Sequence, residues 1–124
     1  MKTLLLVDDE PDLLKTLTDI LETSGYMIIS KPDASSALAV IREGAQIDLV
    51  ITDLHMPGMS GDELIAILRQ ILPAVPIILL TGYGSIEVYL KSMSSGVFEY
   101  VNKPVHANEL RRIVKTALEW SPVK

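Results

Sequence analysis

The chain has 124 residues, the size of one ordinary domain with a buried core. It contains no cysteine, which excludes disulfide bonds and thiolate metal ligands. Eleven basic and sixteen acidic residues give a net charge of −5, which argues against direct nucleic-acid binding and suits a site that attracts a metal ion. We therefore treat residues 1–124 as a single domain.

The apolar start of the chain is interrupted at Asp8, before it reaches the roughly 7–15 residues of a secretory signal core. The longest other apolar run, Ala74 to Leu80, contains Pro76 and is far shorter than the ~20 residues of a membrane helix. The sequence therefore predicts a cytoplasmic domain that has no membrane partner.

Five short apolar runs alternate with longer segments of helical periodicity. The runs have the length of buried strands. The predicted strands are Thr3–Val7, Tyr26–Ser30, Asp48–Thr52, Pro76–Leu80 and Val97–Val101.

The segments between the strands predict helices. The first has an apolar stripe from Leu13 to Leu21 and ends at Gly25, where a left-handed residue stops the helix. The second begins at Asp33 as N-cap and ends near Gly44.

Three more helices follow. The third opens with Ser60-Gly61-Asp62-Glu63, a capping box. The fourth follows Ser85 and ends at Gly96, and the fifth has an apolar stripe from Leu110 to Leu118. The fourth helix is expected to turn four side chains inward: Ile86, Tyr89, Leu90 and Met93.

Strict alternation of strands and helices predicts an α/β fold, because parallel strands need crossover connections and these are almost always right-handed. The expected architecture is the flavodoxin-like doubly wound (βα)5, with a five-stranded parallel sheet in the order 2-1-3-4-5. This order places the ends of strands one and three side by side, at the position where such sheets bind ligands.

Carboxylates follow both of these strands. Asp8 and Asp9 follow the first, and Asp53 follows the third. Like charges a few Å apart disfavour each other's ionisation, so a cation is expected to join them, and a hard divalent metal is the simplest choice. Asp8 and Asp9 have a second interpretation as caps of the first helix beside Pro11.

Two later strand ends add polar groups. Thr81 closes the fourth strand beside Gly82, and Lys103 follows the fifth. Together with carboxylates and Mg²⁺, these groups make a cradle for a phosphoryl group, whose charge is spread over three oxygens. Asp53 is the natural nucleophile, because carboxylates form aspartyl phosphates.

The chain resembles the response regulator receiver domains of two-component signalling over essentially its whole length. Four motifs carry the resemblance: Val7-Asp8-Asp9-Glu10, Asp53-Leu54-His55-Met56-Pro57-Gly58-Met59-Ser60-Gly61, Leu80-Thr81-Gly82 and Tyr100-Val101-Asn102-Lys103-Pro104. The resemblance implies that the domain accepts a phosphoryl group on Asp53 from a histidine kinase or phosphotransfer protein. It implies a binding module and not an enzyme that acts on an external substrate.

The resemblance also implies the metal ligands. Asp9 and Asp53 would bind Mg²⁺ directly, Asp8 would bind it through water, and the backbone carbonyl of His55 would supply another ligand.

Further roles follow from the same resemblance. Thr81 and Lys103 would hold the phosphoryl oxygens, Thr81 and Tyr100 would act as switch residues, and the Lys103-Pro104 bond would be cis. The signal would pass through the fourth helix, fifth strand and fifth helix. The receiver of the signal would be a downstream protein, an attached effector domain or a phosphorylation-dependent dimer.

Three alternatives compete with this interpretation. A flavodoxin-like electron carrier needs a hydroxyl- and glycine-rich first loop, whereas this loop is acidic. A haloacid-dehalogenase-like Mg²⁺-dependent phosphatase places its nucleophile after strand one with an acid two residues later, a pattern that Asp8 and Glu10 half meet. A degenerate receiver would act as a constitutive binding module.

Overall fold

The computed structural model describes residues 1–82, 90–91 and 93–120. Within these ranges, five parallel strands form one sheet in the order β2-β1-β3-β4-β5, which confirms the predicted fold class and strand order. The strands are β1 Thr3–Val7, β2 Met27–Lys31, β3 Leu49–Thr52, β4 Ile77–Thr81 and β5 Glu99–Asn102.

Helices cover both faces of the sheet. They are α1 Pro11–Thr23, α2 Ala34–Arg42, α3 Gly61–Ile71 and a C-terminal helix, Ala107–Glu119. The predicted left-handed stop at Gly25 is confirmed by its φ of +95°. Gly44, near which the second helix was expected to end, also has a positive φ, +102°.

The predicted helix starts are also confirmed. The Asp33 carboxylate accepts a 2.8 Å hydrogen bond from the Ser36 amide at the start of α2. At the start of α3, the Glu63 amide donates to Ser60 Oγ (3.3 Å) and the Ser60 amide donates to Glu63 Oε1 (3.1 Å). These caps fix the points at which the chain leaves each loop.

Two apolar clusters sandwich the sheet. Alternate residues of β1 point to opposite faces, so Leu5 joins the cluster under α2 and α3 while Leu4 joins the cluster under α1 and the C-terminal helix. The central strands β1, β3 and β4 are almost entirely buried. At about 1.5–3 kcal/mol for each fully buried large aliphatic side chain, this burial holds the strand ends in place.

Four strands begin one or two residues later than predicted. At β4 the reason is chemical: Pro76 has no amide hydrogen and cannot donate to the ladder, although its carbonyl accepts from the Val50 amide (3.1 Å). β3 ends at Thr52 as predicted, whereas β2, β4 and β5 each end one residue later than predicted. Asp53 therefore still follows β3 directly, and Thr81 is the last residue of β4.

The fourth predicted helix is only partly described. Residues 83–89 and 92 lie outside the described residues, and so does the inward packing expected of Ile86 and Tyr89. Leu90 and Met93 are helical, but Leu90 is 59% exposed and its expected inward position is wrong. Leu90 lies about 60° around the helix from the half-buried Met93, at the edge of the apolar stripe.

Among the described residues, no helix combines the length and the apolar character needed to cross a bilayer.

Candidate functional site

Asp8 and Asp53 meet at the carboxyl edge of the sheet. Val7 of β1 pairs with Thr52 of β3, and the Asp53 amide donates a 3.0 Å hydrogen bond to the Val7 carbonyl. Both carboxylates are buried, with 3% of Asp8 and 6% of Asp53 exposed. The strand order therefore brings two of the predicted site residues to one place.

Lys103 enters this acidic cluster from the loop after β5. Its ammonium nitrogen lies 3.0 Å from Asp8 Oδ2, 3.3 Å from Asp53 Oδ2 and 2.6 Å from Glu10 Oε1. The peptide bond between Lys103 and Pro104 is cis, as the resemblance implied. Lys103 therefore brings one positive charge of the chain itself to these carboxylates, in addition to the divalent metal that the sequence predicts there.

Burial, hydrogen bonds and neighbouring charges together shift two pKa values in the cluster. Burial raises the pKa of Asp8 above its ordinary value, although hydrogen bonds from the Glu10 amide and Lys103 oppose this rise. Burial by itself lowers the pKa of Lys103, but hydrogen bonds to Glu10 and Asp8 and the charges of Asp8 and Asp53 outweigh it and raise the pKa. Lys103 is therefore a permanent cation at neutral pH.

The turn after β3 orients Asp53. Its Oδ1 accepts a 2.7 Å hydrogen bond from the Leu54 amide, and its carbonyl accepts one of 3.0 Å from Thr52 Oγ1. Gly61, the first residue of α3, packs directly on this turn, and a Cβ there would lie 2.4 Å from the Asp53 carbonyl oxygen. Glycine is therefore the residue that lets α3 approach the acidic cluster.

Thr81 and the cavity complete the site. Thr81 is fully buried at the end of β4, paired with Asn102 of β5. A cavity of about 700 Å³ opens over Asp53. Its lining residues are Asp9, Glu10, Asp53, His55, Gly82 and Lys103.

Glu10 takes a place that the sequence analysis did not assign to it. Carboxylate oxygens of Asp8, Glu10 and Asp53 lie within 4.8 Å of one another, whereas Asp9 is exposed and lines the cavity without joining this group. Glu10 is the N-cap residue of α1 but makes no capping bond with its side chain, and its amide donates instead to Asp8 Oδ1 (2.9 Å). The sequence feature that could have identified Glu10 as a site residue is its position directly after Asp8 and Asp9.

Of the two remaining predicted site residues, His55 lines the cavity and Tyr100 does not. Tyr100 is half-buried on β5 and packs against the apolar cluster under α2 and α3, and it does not line the cavity. His55 is exposed at the cavity wall two residues beyond Asp53.

The donor set fits a hard divalent cation. The converging atoms are carboxylate oxygens, which are the ligands that Mg²⁺ prefers, and they open onto a cavity large enough for water and a phosphoryl group. Thiolate ligands, which would favour softer metals, are absent from the sequence.

Comparisons with known proteins identify the family. The response regulator receiver domain family matches residues 4–115, and the chain belongs to this family. The transcriptional regulatory protein GlrR of Escherichia coli K12 is 39% identical over 118 residues, which are 95% of this chain and 26% of GlrR. The chain therefore spans about a quarter of that relative's length.

Solved structures agree with the family match. A CheY-like receiver domain protein from Methanospirillum hungatei JF-1 has a TM-score of 0.90 and 33% identity, and covers 96% of this chain and 94% of its own. The response regulator TrrA of Thermotoga maritima, solved in complex with Mg(2+)-BeF, has a TM-score of 0.84 and 38% identity, over 94% of this chain and 99% of its own. The chain is therefore a receiver domain of the two-component response regulator class, a class of signalling domains, and its acidic pocket is compatible with a phosphoacceptor site.

Proposed function

We propose that this domain accepts a phosphoryl group on Asp53 from a phosphohistidine of a histidine kinase or phosphotransfer protein. The observation that carries the proposal is the position of Asp53: it is buried at the end of β3, it opens onto the cavity, and its Oδ2 lies 3.3 Å from the Lys103 ammonium. A carboxylate in this position is shielded from bulk water and faces a cation that would balance incoming negative charge.

The transfer exchanges one bond to phosphorus for another. A carboxylate oxygen of Asp53 attacks the phosphorus, the P–N bond of the phosphohistidine breaks, and the imidazole nitrogen keeps the electron pair and takes up a proton. The Lys103 ammonium would hold one phosphoryl oxygen and the Thr81 hydroxyl another.

The proposed Mg²⁺ site uses the same edge of the sheet. Asp9, Asp53 and the His55 carbonyl would be direct ligands, and Asp8 would bind through water. Bound Mg²⁺ would neutralise the charge that develops on the transferring oxygens. The convergence of Asp8, Glu10 and Asp53 supports a divalent cation at this edge, and it adds Glu10 to the groups around it.

The output would be a change in protein–protein contact in the cytoplasm, and no direct nucleic-acid binding by this domain is proposed. A phosphoryl group adds about −1.5 to −2 charge at neutral pH. Thr81 would move toward it and Tyr100 would fill the space released. The surface that changes would be formed by the fourth helical segment, β5 and the C-terminal helix, where Arg111 and Lys115 are exposed.

The partner at this surface would be a downstream protein, an attached effector domain or a second copy of the domain. Shifting the two conformations from 1:99 to 99:1 needs about 5.5 kcal/mol of differential stabilisation, more than one hydrogen bond supplies. The metal, Thr81 and Lys103 contacts must therefore act together.

Phosphorylation from acetyl phosphate in Mg²⁺ tests the acceptor. We expect the intact mass of the wild type to increase by one phosphoryl group, and the adduct to be removed by hydroxylamine, as an acyl phosphate is. Asp53→Asn should gain no mass, while Asp12→Asn, which removes an exposed carboxylate from α1, should behave as wild type. Equal phosphorylation of Asp53→Asn and wild type would refute the assignment.

A further inference from the structure

Glu10 and Lys103, 93 positions apart in the chain, make the shortest contact in the acidic cluster. The distance from Lys103 Nζ to Glu10 Oε1 is 2.6 Å. The partners differ in exposure: 59% of the Glu10 side chain is exposed, against 17% for Lys103. An exposed carboxylate at the start of α1 thus reaches over the rim of the cavity to a largely buried ammonium.

The Lys103 contacts fall into two groups. Asp8 and Asp53, with 4% and 8% of their side chains exposed, form the floor of the site, and Glu10 forms its rim. An ammonium has three hydrogens to donate, and three carboxylates already lie within contact distance of it. A phosphoryl oxygen on Asp53 can therefore accept a hydrogen bond from the Lys103 ammonium only if one of these contacts weakens.

The proposed function indicates which of the three carboxylates would still compete with the phosphoryl group for Lys103. Asp8 and Asp53 would turn to the metal and to the phosphoryl group, since both lie on the floor of the site. Glu10 is the remaining carboxylate, and its exposed side chain needs no rearrangement of the core to keep Lys103 at the rim.

We propose that Glu10 is a positioning residue that holds the Lys103 ammonium at the rim and competes with the phosphoryl group for it. Glu10 therefore favours the unphosphorylated form of the domain. This inference rests on the proposed function, because it assigns Lys103 to the phosphoryl group.

The first experiment measures the Glu10–Lys103 coupling without metal or phosphoryl group. In chelator, Glu10→Gln should lower the urea midpoint of unfolding when Lys103 is present. In a Lys103→Met background it should leave the midpoint unchanged or raise it, because only repulsion from Asp8 and Asp53 remains. Asp12→Asn removes one negative charge two residues away, in the first turn of α1, and should have the same effect in both backgrounds. Equal effects of Glu10→Gln in the two backgrounds would overturn the coupling.

The second experiment measures the competition. The probe is beryllofluoride, titrated calorimetrically at saturating Mg²⁺, since this phosphoryl mimic involves no turnover. We expect Glu10→Gln to bind it about two- to fivefold more tightly than wild type, the range of a partly exposed ion pair. Asp12→Asn should bind it with wild-type affinity.

The outcomes separate the two proposals. If wild type binds beryllofluoride and Glu10→Gln binds it equally or more weakly, Glu10 does not compete and this inference fails while the phosphoacceptor function stands. If neither wild type nor Glu10→Gln binds the mimic, and Asp53 is not phosphorylated, the proposed function fails and this inference fails with it.

Discussion

The backbone amide of Lys103 donates a 2.9 Å hydrogen bond to the carbonyl oxygen of Thr81. The two residues stand at the ends of neighbouring strands, where Thr81 pairs with Asn102. Their relative position is therefore set by the sheet and not by flexible side chains. A phosphoryl group held by Thr81 and Lys103 would therefore bind between two residues whose backbone spacing is already fixed in the unphosphorylated domain.

Lys103 is expected to stabilise the metal-free domain. Lys103→Met leaves Asp8 and Asp53 buried without their cation, and we expect the free energy of unfolding in chelator to fall by about 1–3 kcal/mol. Lys91→Met is the matched control, because Lys91 pairs with Asp62 at the surface (3.3 Å) and such pairs contribute little. Urea denaturation measures both, and an equal loss in the two variants would contradict the prediction.

Asp8 should make stability depend on pH. Burial raises its folded-state pKa above the ordinary value of 3.8, so the protonated carboxyl is favoured on folding. The stability from this shift is fully present below pH ~3.8 and is lost as the pH rises through the higher folded-state pKa. In chelator, Asp8→Asn should therefore match wild type near pH 4 and be the more stable protein at pH 7.

Thermal melts from pH 4 to pH 8 check this difference. The exposed Asp12→Asn should show no comparable trend. Asp9 belongs to the same acidic run as Asp8, but Asp9 is exposed, so its removal should relieve less repulsion than removal of Asp8. A wild type that is more stable than Asp8→Asn at pH 7 would show that pairing with Lys103 outweighs burial.

Gly61 should tolerate no side chain. A Cβ at this position would lie 2.4 Å from the Asp53 carbonyl oxygen and 2.7 Å from Leu54 Cα, both backbone atoms that cannot easily move. We expect Gly61→Ala to lower the free energy of unfolding by about 1–3 kcal/mol and to slow phosphorylation by displacing the turn. Gly82→Ala, where nothing lies within 4 Å of the added atom, should be close to wild type in urea denaturation. Similar stability of the two variants would argue against tight packing at α3.

Thr81 should be needed for the conformational response to phosphorylation more than for phosphoryl transfer to Asp53. The Leu54 amide donates a 2.7 Å hydrogen bond to Asp53 Oδ1 and so holds the acceptor carboxylate from the backbone. Thr81→Ala should therefore still be phosphorylated, but the amide shifts at Tyr100, Arg111 and Lys115 on adding a phosphoryl mimic should shrink. Thr81→Ser, which keeps the hydroxyl, should restore them. Full-sized shifts in Thr81→Ala would remove Thr81 from the switch.

Local patterns in the chain were enough to predict the fold and the edge of the sheet that carries the site. The apolar runs, the Ser60–Glu63 capping box and the glycine stops at Gly25 and Gly44 each act within a few residues, and all were confirmed. Strict alternation predicted a parallel sheet, and the order common among five-stranded doubly wound folds predicted that Asp8 meets Asp53. Both predictions were confirmed, and the meeting depends on the backbone path alone.

Only the tertiary structure decided how the charged side chains pair. Glu10 and Lys103 are 93 positions apart, and no periodicity links them. Whether Glu10 or Asp9 joins Asp8 and Asp53 depends on the direction in which each side chain points at the start of α1. Three consecutive acidic residues in the sequence do not specify that direction. The sequence predicted a divalent cation among these carboxylates, because like charges repel, and it placed Lys103 beside the phosphoryl group. Only the folded chain showed that the Lys103 ammonium contacts Asp8 and Asp53 directly, because side-chain distances depend on the packing of distant segments.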